Sequence, residues 1–560
     1  MKPRFQGLLF FVAVVVAAHY AWADDGAVDN ETAEQFHAWA SLDVPGGAVA
    51  IIRDGNIIAA RGFGSANLDD RAPITTTSIF EMGSIAKSFV CAALAILLDQ
   101  GKIGPDDDIC KYVPEMHPRN PPILIRHLVR CESGLPDYWF AMQLAGWNLE
   151  DAYTRADILA LLTRWKAATA PGSRFAYSSS DYVLLGLIIE RVSGQSLAEF
   201  TRENLFEPLK MTRTFFEDDP TFPVANRVVG YDKRRGGGYR RWTFNARVVG
   251  GCGLKSCIDD QIRWLANFDL NRLTRGPLLD QFFATGTLLD NRNVLDMEPT
   301  GGYRGLTRIQ FTGGMPGVQA AVVRYPNQRF SVICLSNSDL NPFVHAKRIA
   351  DRLLTSDFTE PASTPPSIGE GPVVSVPVEQ LQDKVGAYEL ADRRVCTIEI
   401  SEGTLIYHDY VHHRIPLEPL SATLFRAHDK SGDTLQFRRT ASDGPFLLTI
   451  SDGDGWKSEC RPITLSPVNE EKLGEYAGTY FNAELLAAYR FVVREESLHL
   501  QVNNRRWERL DPTTTDRFVP HERSNDDNRI IQFLRDDNGR VHAATVDLWR
   551  VRGIRLEKRP

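Results

Sequence analysis

The spacing of apolar and polar residues changes several times along the chain, and each change marks an element. Apolar runs at 47–52 and 57–60 flank Asp54-Gly55, a pair suited to a tight hairpin turn. From Val90 to Leu98 almost every position is apolar, and Gly101 follows. This predicts a buried helix that carries Ser84 in its first turn and stops at the glycine. A second apolar helix is expected at 181–192, with Gly194 as its stop. Apolar strands return at 320–324 and 330–335 around Pro326-Asn327-Gln328. Two hairpins flanking a mostly helical middle predict an α+β fold, one antiparallel sheet packed against helices.

Beyond Leu354 the pattern shifts. Residues 358–378 hold five prolines among Ser, Thr and Gly, which reads as a semi-rigid linker. The chain then repeats itself: Tyr388 corresponds to Tyr480, Leu417-Glu418-Pro419 to Leu510-Asp511-Pro512, Phe425 to Phe518, and Leu435-Gln436-Phe437 to Ile531-Gln532-Phe533. Short strands between polar turns in both copies predict two small barrel-like β domains, 379–466 and 467–560, after an α+β domain at 28–357.

Composition narrows the class. The 560 residues are 43% hydrophobic and carry a formal net charge of -7, so there is no basic footprint for nucleic acid. Lys2 and Arg4 precede an apolar stretch at 8–18, and Ala21-Trp22-Ala23 offers a cleavage site. Residues 1–23 therefore read as a secretory signal peptide, and the mature protein is expected to be exported, to a periplasm or to the medium, without stable membrane insertion. Export permits disulfides. Cys252 with Cys257, and Cys396 with Cys460, could pair, the pairing itself being left open, whereas Cys91 and Cys334 sit in apolar runs as buried thiols. No C-x-x-C pattern occurs, and His408, His412 and His413 lack a matching carboxylate set, so no metal or other cofactor is expected.

The chemistry-bearing segment is Phe80-Glu81-Met82-Gly83-Ser84-Ile85-Ala86-Lys87. Residues three apart on a helix share a face, so the Lys87 amine can reach the Ser84 hydroxyl. An apolar wall favours an uncharged lysine, which can take the serine proton, and a helix start offers free N–H groups to a developing oxyanion. Taken alone, S-x-x-K is a common chance match. Tyr177, on the loop before the second apolar helix, adds a phenol able to pass protons. Phe311-Thr312-Gly313-Gly314 leads into a strand, where glycines allow a substrate backbone close and an N–H can serve as a second oxyanion donor.

Together these clusters resemble the serine β-lactamase and penicillin-binding protein family, in its class C-like branch, over roughly residues 30–355. Ser84-x-x-Lys87 stands as the first motif, Tyr177-Ser178-Ser179 as the second and Phe311-Thr312-Gly313 as the third. The trailing β domains resemble those of D-aminopeptidases in this branch, which limit access to the site. The resemblance implies an acyl-enzyme hydrolase of a small peptide, amide or ester, with Ser84 as nucleophile and Lys87 and Tyr177 sharing the proton. It implies Ser84 and Gly314 N–H groups at the oxyanion, and Ser179 orienting Lys87. Two residues depart from the pattern: Ser179 replaces the usual Asn, and Phe311 replaces a Lys or His. Phenylalanine supplies neither charge nor proton relay. That change favours a substrate that is neutral at that end, or the alternative of a binding or sensing protein with little turnover. Arg304 and Arg308 are the nearest cations in sequence. Oligomeric state is left open.

Overall fold

The computed structural model describes residues 36–559, apart from 167–168, 235–236, 274–275, 292–293, 295–296, 339–340, 361–371, 392, 410–413, 429–432, 442–443, 452–456, 466–471 and 522–527. The expected signal segment, His412, His413 and most of the Pro-rich stretch lie outside the described residues.

The N-terminal α+β domain is built on a six-stranded antiparallel sheet. Its strands are β1 (Gly47–Arg53), β2 (Asn56–Phe63), β3 (Met297–Tyr303), β4 (Leu306–Met315), β5 (Val318–Tyr325) and β6 (Phe330–Ser336), in the order β3-β4-β5-β6-β1-β2. The first and last segments of the domain thus meet in the middle, Gly47 opposite Ser336. Side chains alternate across a strand, and both faces here are apolar. Ala48, Ala50, Ile52, Ile333 and Leu335 point into the helical layer. Val49, Ile51, Val332 and Cys334 point the other way, onto Phe36, Trp39 and helix Pro342–Leu353.

Helix α1 (Ala86–Asp99) runs through the centre of the helical layer, buried from Ala86 to Leu98. Phe89 stacks on Trp264 with centroids 4.0 Å apart. Gly101 follows it with φ +65°, a conformation that glycine adopts without a Cβ clash. Helix α2 (Ser179–Ser193) packs against α1 and ends at Gly194, also left-handed. Ser84 itself lies just ahead of α1, in a 3₁₀ turn at Gly83–Ile85, rather than in the first turn of the α-helix. The tighter turn joins the short strand Phe80–Glu81 directly to α1.

Two closed eight-stranded antiparallel barrels follow, each with its strands in sequence order. The first runs from Gly386–Leu390 to Lys457–Ile463, the second from Gly478–Asn482 to Val551–Lys558. The repeat pairs occupy equivalent interior places. The Tyr388 hydroxyl donates to the Lys384 carbonyl at 2.9 Å, and that of Tyr480 to the Tyr476 carbonyl at 3.0 Å. Phe425 and Phe437 meet edge to face in one barrel, as Phe518 and Phe533 do in the other.

All eight cysteines are free thiols. The expected Cys252–Cys257 pair is absent because the strand Leu254–Ser256 extends between them and holds them apart. Cys396 and Cys460 are buried inside the first barrel without a bond between them. Among the described residues, no helix is long and apolar enough to cross a membrane.

Candidate active site

Ser84 sits where the sheet meets the helical layer. Its turn packs closely against the end of β4 at Gly83, Gly313 and Gly314. A Cβ on Gly313 would lie 2.0 Å from the Met82 carbonyl oxygen and 3.0 Å from the Ser84 nitrogen, and a Cβ on Gly83 would lie 2.5 Å from the Gly314 nitrogen. Real side chains cannot occupy such spaces, so these glycines set the separation between the serine turn and the strand. On its outer side β3 pairs with β4 only between Leu306 and Ile309. From Gln310 onward β4 borders the cleft.

Lys87 is 1% exposed. Its Nζ donates to Ser84 Oγ at 3.1 Å and to the Gly251 carbonyl at 2.8 Å. It lies 4.9 Å from the centre of the Tyr177 ring and 5.6 Å from that of Tyr182. Ser84, Lys87 and Tyr177 therefore share one place. Ser179, at the start of α2, lines the same cleft and backs onto Gly251: a Cβ on that glycine would come within 2.8 Å of the Ser179 carbonyl oxygen. The side-chain contact that fixes Lys87 is thus with a backbone carbonyl beside Ser179.

Behind the serine turn runs a chain of buried charges. Glu81 accepts N–H bonds from Gly83 at 3.1 Å and Gly253 at 3.0 Å, and its other oxygen takes Lys255 Nζ at 2.6 Å. Lys255 also lies 3.2 Å from Glu217, which pairs with Arg227. One carboxylate therefore ties the turn bearing Ser84 to the segment whose carbonyl holds Lys87. Paired and hydrogen-bonded in this way, the buried charges are mutually compensated.

The cleft in front of Ser84 holds about 630 Å³. Phe311, Thr312, Gly313 and Gly314 all line it. Phe311 is 7% exposed, and its ring reaches into the core toward Phe268, 6.5 Å between centroids. Its place is an apolar wall. Arg304 and Arg308 do not line the cleft; they stack on Phe358 and Tyr303 instead. Cys252 does line it, but burial pushes its thiol up to about 11, with the Glu81 charge adding to the effect, so it is not a thiolate at neutral pH.

Part of the cleft escapes sequence reading altogether. Trp549 and Arg550, the turn between the last two strands of the second barrel, line it opposite the serine domain. Arg550 donates to Asp137 at 2.9 Å across 413 residues of chain, and its guanidinium lies 4.4 Å from the Tyr177 ring centre. Trp549 adopts φ +49°, as a two-residue hairpin turn requires, although such a conformation is uncommon for a large side chain. The turn carries neither Asn nor Gly, so the sequence gives no hairpin signal there. Among the described residues, no cluster of three or more His, Cys, Asp or Glu is arranged to hold a metal.

Known proteins bear on this geometry. The Beta-lactamase family model matches residues 31–356, and a domain of unknown function, DUF3471, matches residues 464–558. A D-aminopeptidase of Gluconobacter oxydans is 31% identical over 229 residues, 41% of this chain and 43% of that protein. One of Brucella anthropi is 28% identical over 299 residues, 52% of this chain and 56% of that protein. The chain thus spans about half the length of these curated relatives. The octameric penicillin-binding protein homologue of Pyrococcus abyssi superposes with a TM-score of 0.54 at 21% identity, over 86% of this chain and 99% of that one. At that identity the likeness concerns the fold.

Proposed function

The chain belongs to the β-lactamase family, and from that premise we propose that it is an exported serine hydrolase that opens an amide or ester through an acyl-enzyme on Ser84. The observation that carries this reading is the buried Lys87 amine 3.1 Å from the Ser84 hydroxyl. Ser84 Oγ attacks the substrate carbonyl as its proton passes to the Lys87–Tyr177 pair. The oxyanion is held by the backbone N–H groups of Ser84 and Gly314, whose approach the glycines permit. Collapse of the intermediate breaks the bond to the leaving group, which takes up the proton. Water then attacks the acyl-serine, gives its proton to the same pair and releases the acid. Ser179 supports Lys87 through the Gly251 segment. Exit from the cytoplasm follows from the leader at 1–23. The D-aminopeptidase relatives make amides of D-amino acids, and related small esters, the first substrates to try.

The buried Phe311 favours a second reading, a cleft that recognises peptides and turns over little. One experiment separates the two. A fluorophosphonate or fluorescent penicillin is expected to label the mature protein and to leave Ser84→Ala unlabelled. A wild type that stays unlabelled and inert toward aryl esters and D-amino-acid amides would overturn the hydrolase reading.

A further inference from the structure

The charge on the cleft wall does not come from where the family motif puts it. Of the described residues that line the cleft, only Asp137 and Arg550 carry a full charge. They form one ion pair, but they are not equally reachable. The Asp137 side chain is 1% exposed, and that of Arg550 is 48% exposed. Each Asp137 oxygen already accepts one bond, from the Trp139 N–H at 3.2 Å and from Arg550 at 2.9 Å. A guanidinium has five N–H donors in a fixed fork, and Asp137 takes only part of them. A substrate entering the cleft therefore meets a cation whose counter-ion is out of reach behind it. Two aromatic rings flank it, with its guanidinium carbon 4.4 Å from the Tyr177 ring centre and 5.5 Å from that of Phe140, within cation–π reach.

We infer that Arg550 is an anion-binding, specificity-determining residue of this cleft, selecting substrates that carry a carboxylate near the bond to be cleaved. In effect the second barrel supplies from outside the positive charge that Phe311 cannot supply from within. This deepens the hydrolase reading and rests on it for the word substrate, but the binding preference stands without turnover. It also opposes the simplest transfer from the relatives' names: a free ammonium on the substrate would face Arg550, a like charge.

The test uses the full mature chain and two phenylacetylglycine phenyl esters, one with a meta-carboxylate on the phenyl ring and one with a meta-carboxamide. For wild type, kcat/KM for the acid should exceed that for the amide at least tenfold, and the preference should shrink between 0.05 and 0.5 M salt, as expected for a partly exposed charge (about 14 to 4 Å of screening length). Arg550→Ala should remove most of that preference, and Arg550→Lys should retain part of it. Binding of both esters to Ser84→Ala, followed by calorimetry, gives the same ratio without chemistry. No preference for the acid in either measurement, or one that Arg550→Ala leaves intact, overturns the inference. If wild type neither cleaves nor labels while Ser84→Ala still prefers the acid, the hydrolase reading falls and the Arg550 subsite remains.

Discussion

The two barrels have the same strand number, the same connectivity and matching interior residues, yet they stand in different relations to the rest of the molecule. The interior of the first, around Tyr388, Phe425 and Phe437, is an apolar cluster of its own. The interior of the second, around Tyr480, Phe518 and Phe533, is continuous with the helical layer that holds Ser84. The backbone at 144–146 makes that junction: Tyr489 donates to the Leu144 carbonyl at 2.5 Å, Asn503 to that of Ala145 at 3.0 Å, and Arg505 to that of Gly146. The first barrel reaches the second through polar contacts, Arg393 to Asp547 at 3.2 Å and Arg517 to Glu389, with Arg394 over the Trp549 ring. The same interior pattern thus occurs in one domain that lines the cleft and in one that only touches the domain lining it. Interior residues make a barrel, and the outward ones decide what it serves.

The comparison can be broken most directly at its matched phenylalanines. Phe437→Ala and Phe533→Ala remove the same side chain from equivalent places, and each should cost about 3–5 kcal/mol locally. Hydrogen exchange of α1 should speed up in Phe533→Ala and stay at the wild-type rate in Phe437→Ala. Equal protection of α1 in both would mean that the second barrel is no more fused to the serine domain than the first.

A smaller effect is expected at the junction. Tyr489→Phe deletes one buried donor and leaves the Leu144 carbonyl unsatisfied, a loss of about 1–3 kcal/mol in denaturant unfolding. Exchange at 138–146 should rise with it. Tyr388→Phe, the same substitution inside the first barrel, should leave exchange at 138–146 unchanged.

Smaller still is the brace between the barrels. Arg393→Ala with Arg394→Ala should change global stability by less than about 1 kcal/mol, since such partly exposed pairs contribute little. The paired change should nonetheless move KM by about twofold through the Trp549 turn, the size of a coupling near 0.5 kcal/mol. An unchanged KM would confine the first barrel to a bystander's role.

The slightest effect concerns acid. Arg426, and then His428, hold the Glu418 carboxyl of the first barrel below its usual range. A depressed carboxyl stabilises the fold above its unfolded pKa, and that contribution is lost as pH falls through the folded value. The first-barrel transition should accordingly drop on acidification below about pH 4.5, and drop less steeply in Arg426→Ala.

Much of this was readable from the chain because it depends on local spacing. The β1–β2 and β5–β6 hairpins follow from apolar runs around turn residues, and the runs before Gly101 and Gly194 mark α1 and α2. Ser84 and Lys87 are three residues apart, so their meeting needs only a helical turn. Tyr177 joins them because its loop leads into α2, which packs on α1. Other parts depend on contacts that spacing does not encode. The carbonyl of Gly251 is backbone and leaves no side-chain signature. Glu81 was in plain view beside Ser84, but its three partners include two backbone N–H groups and a lysine 174 residues away. The Cys252–Cys257 pairing failed for a related reason: the intervening residues form a strand, not a loop. Asp137 and Arg550 belong to different domains, and nothing in either neighbourhood announces the other.

The Trp549–Arg550 turn has a bearing on how the protein is made. Translation is vectorial, so Ser84, Lys87 and Tyr177 leave the ribosome long before the hairpin that walls their cleft. Wherever folding takes place, Ser84 faces a cleft open on one side until the Trp549–Arg550 turn is in position. Only closure of the second barrel, the last module to be synthesised of those seen here, completes the wall of the cleft in front of Ser84.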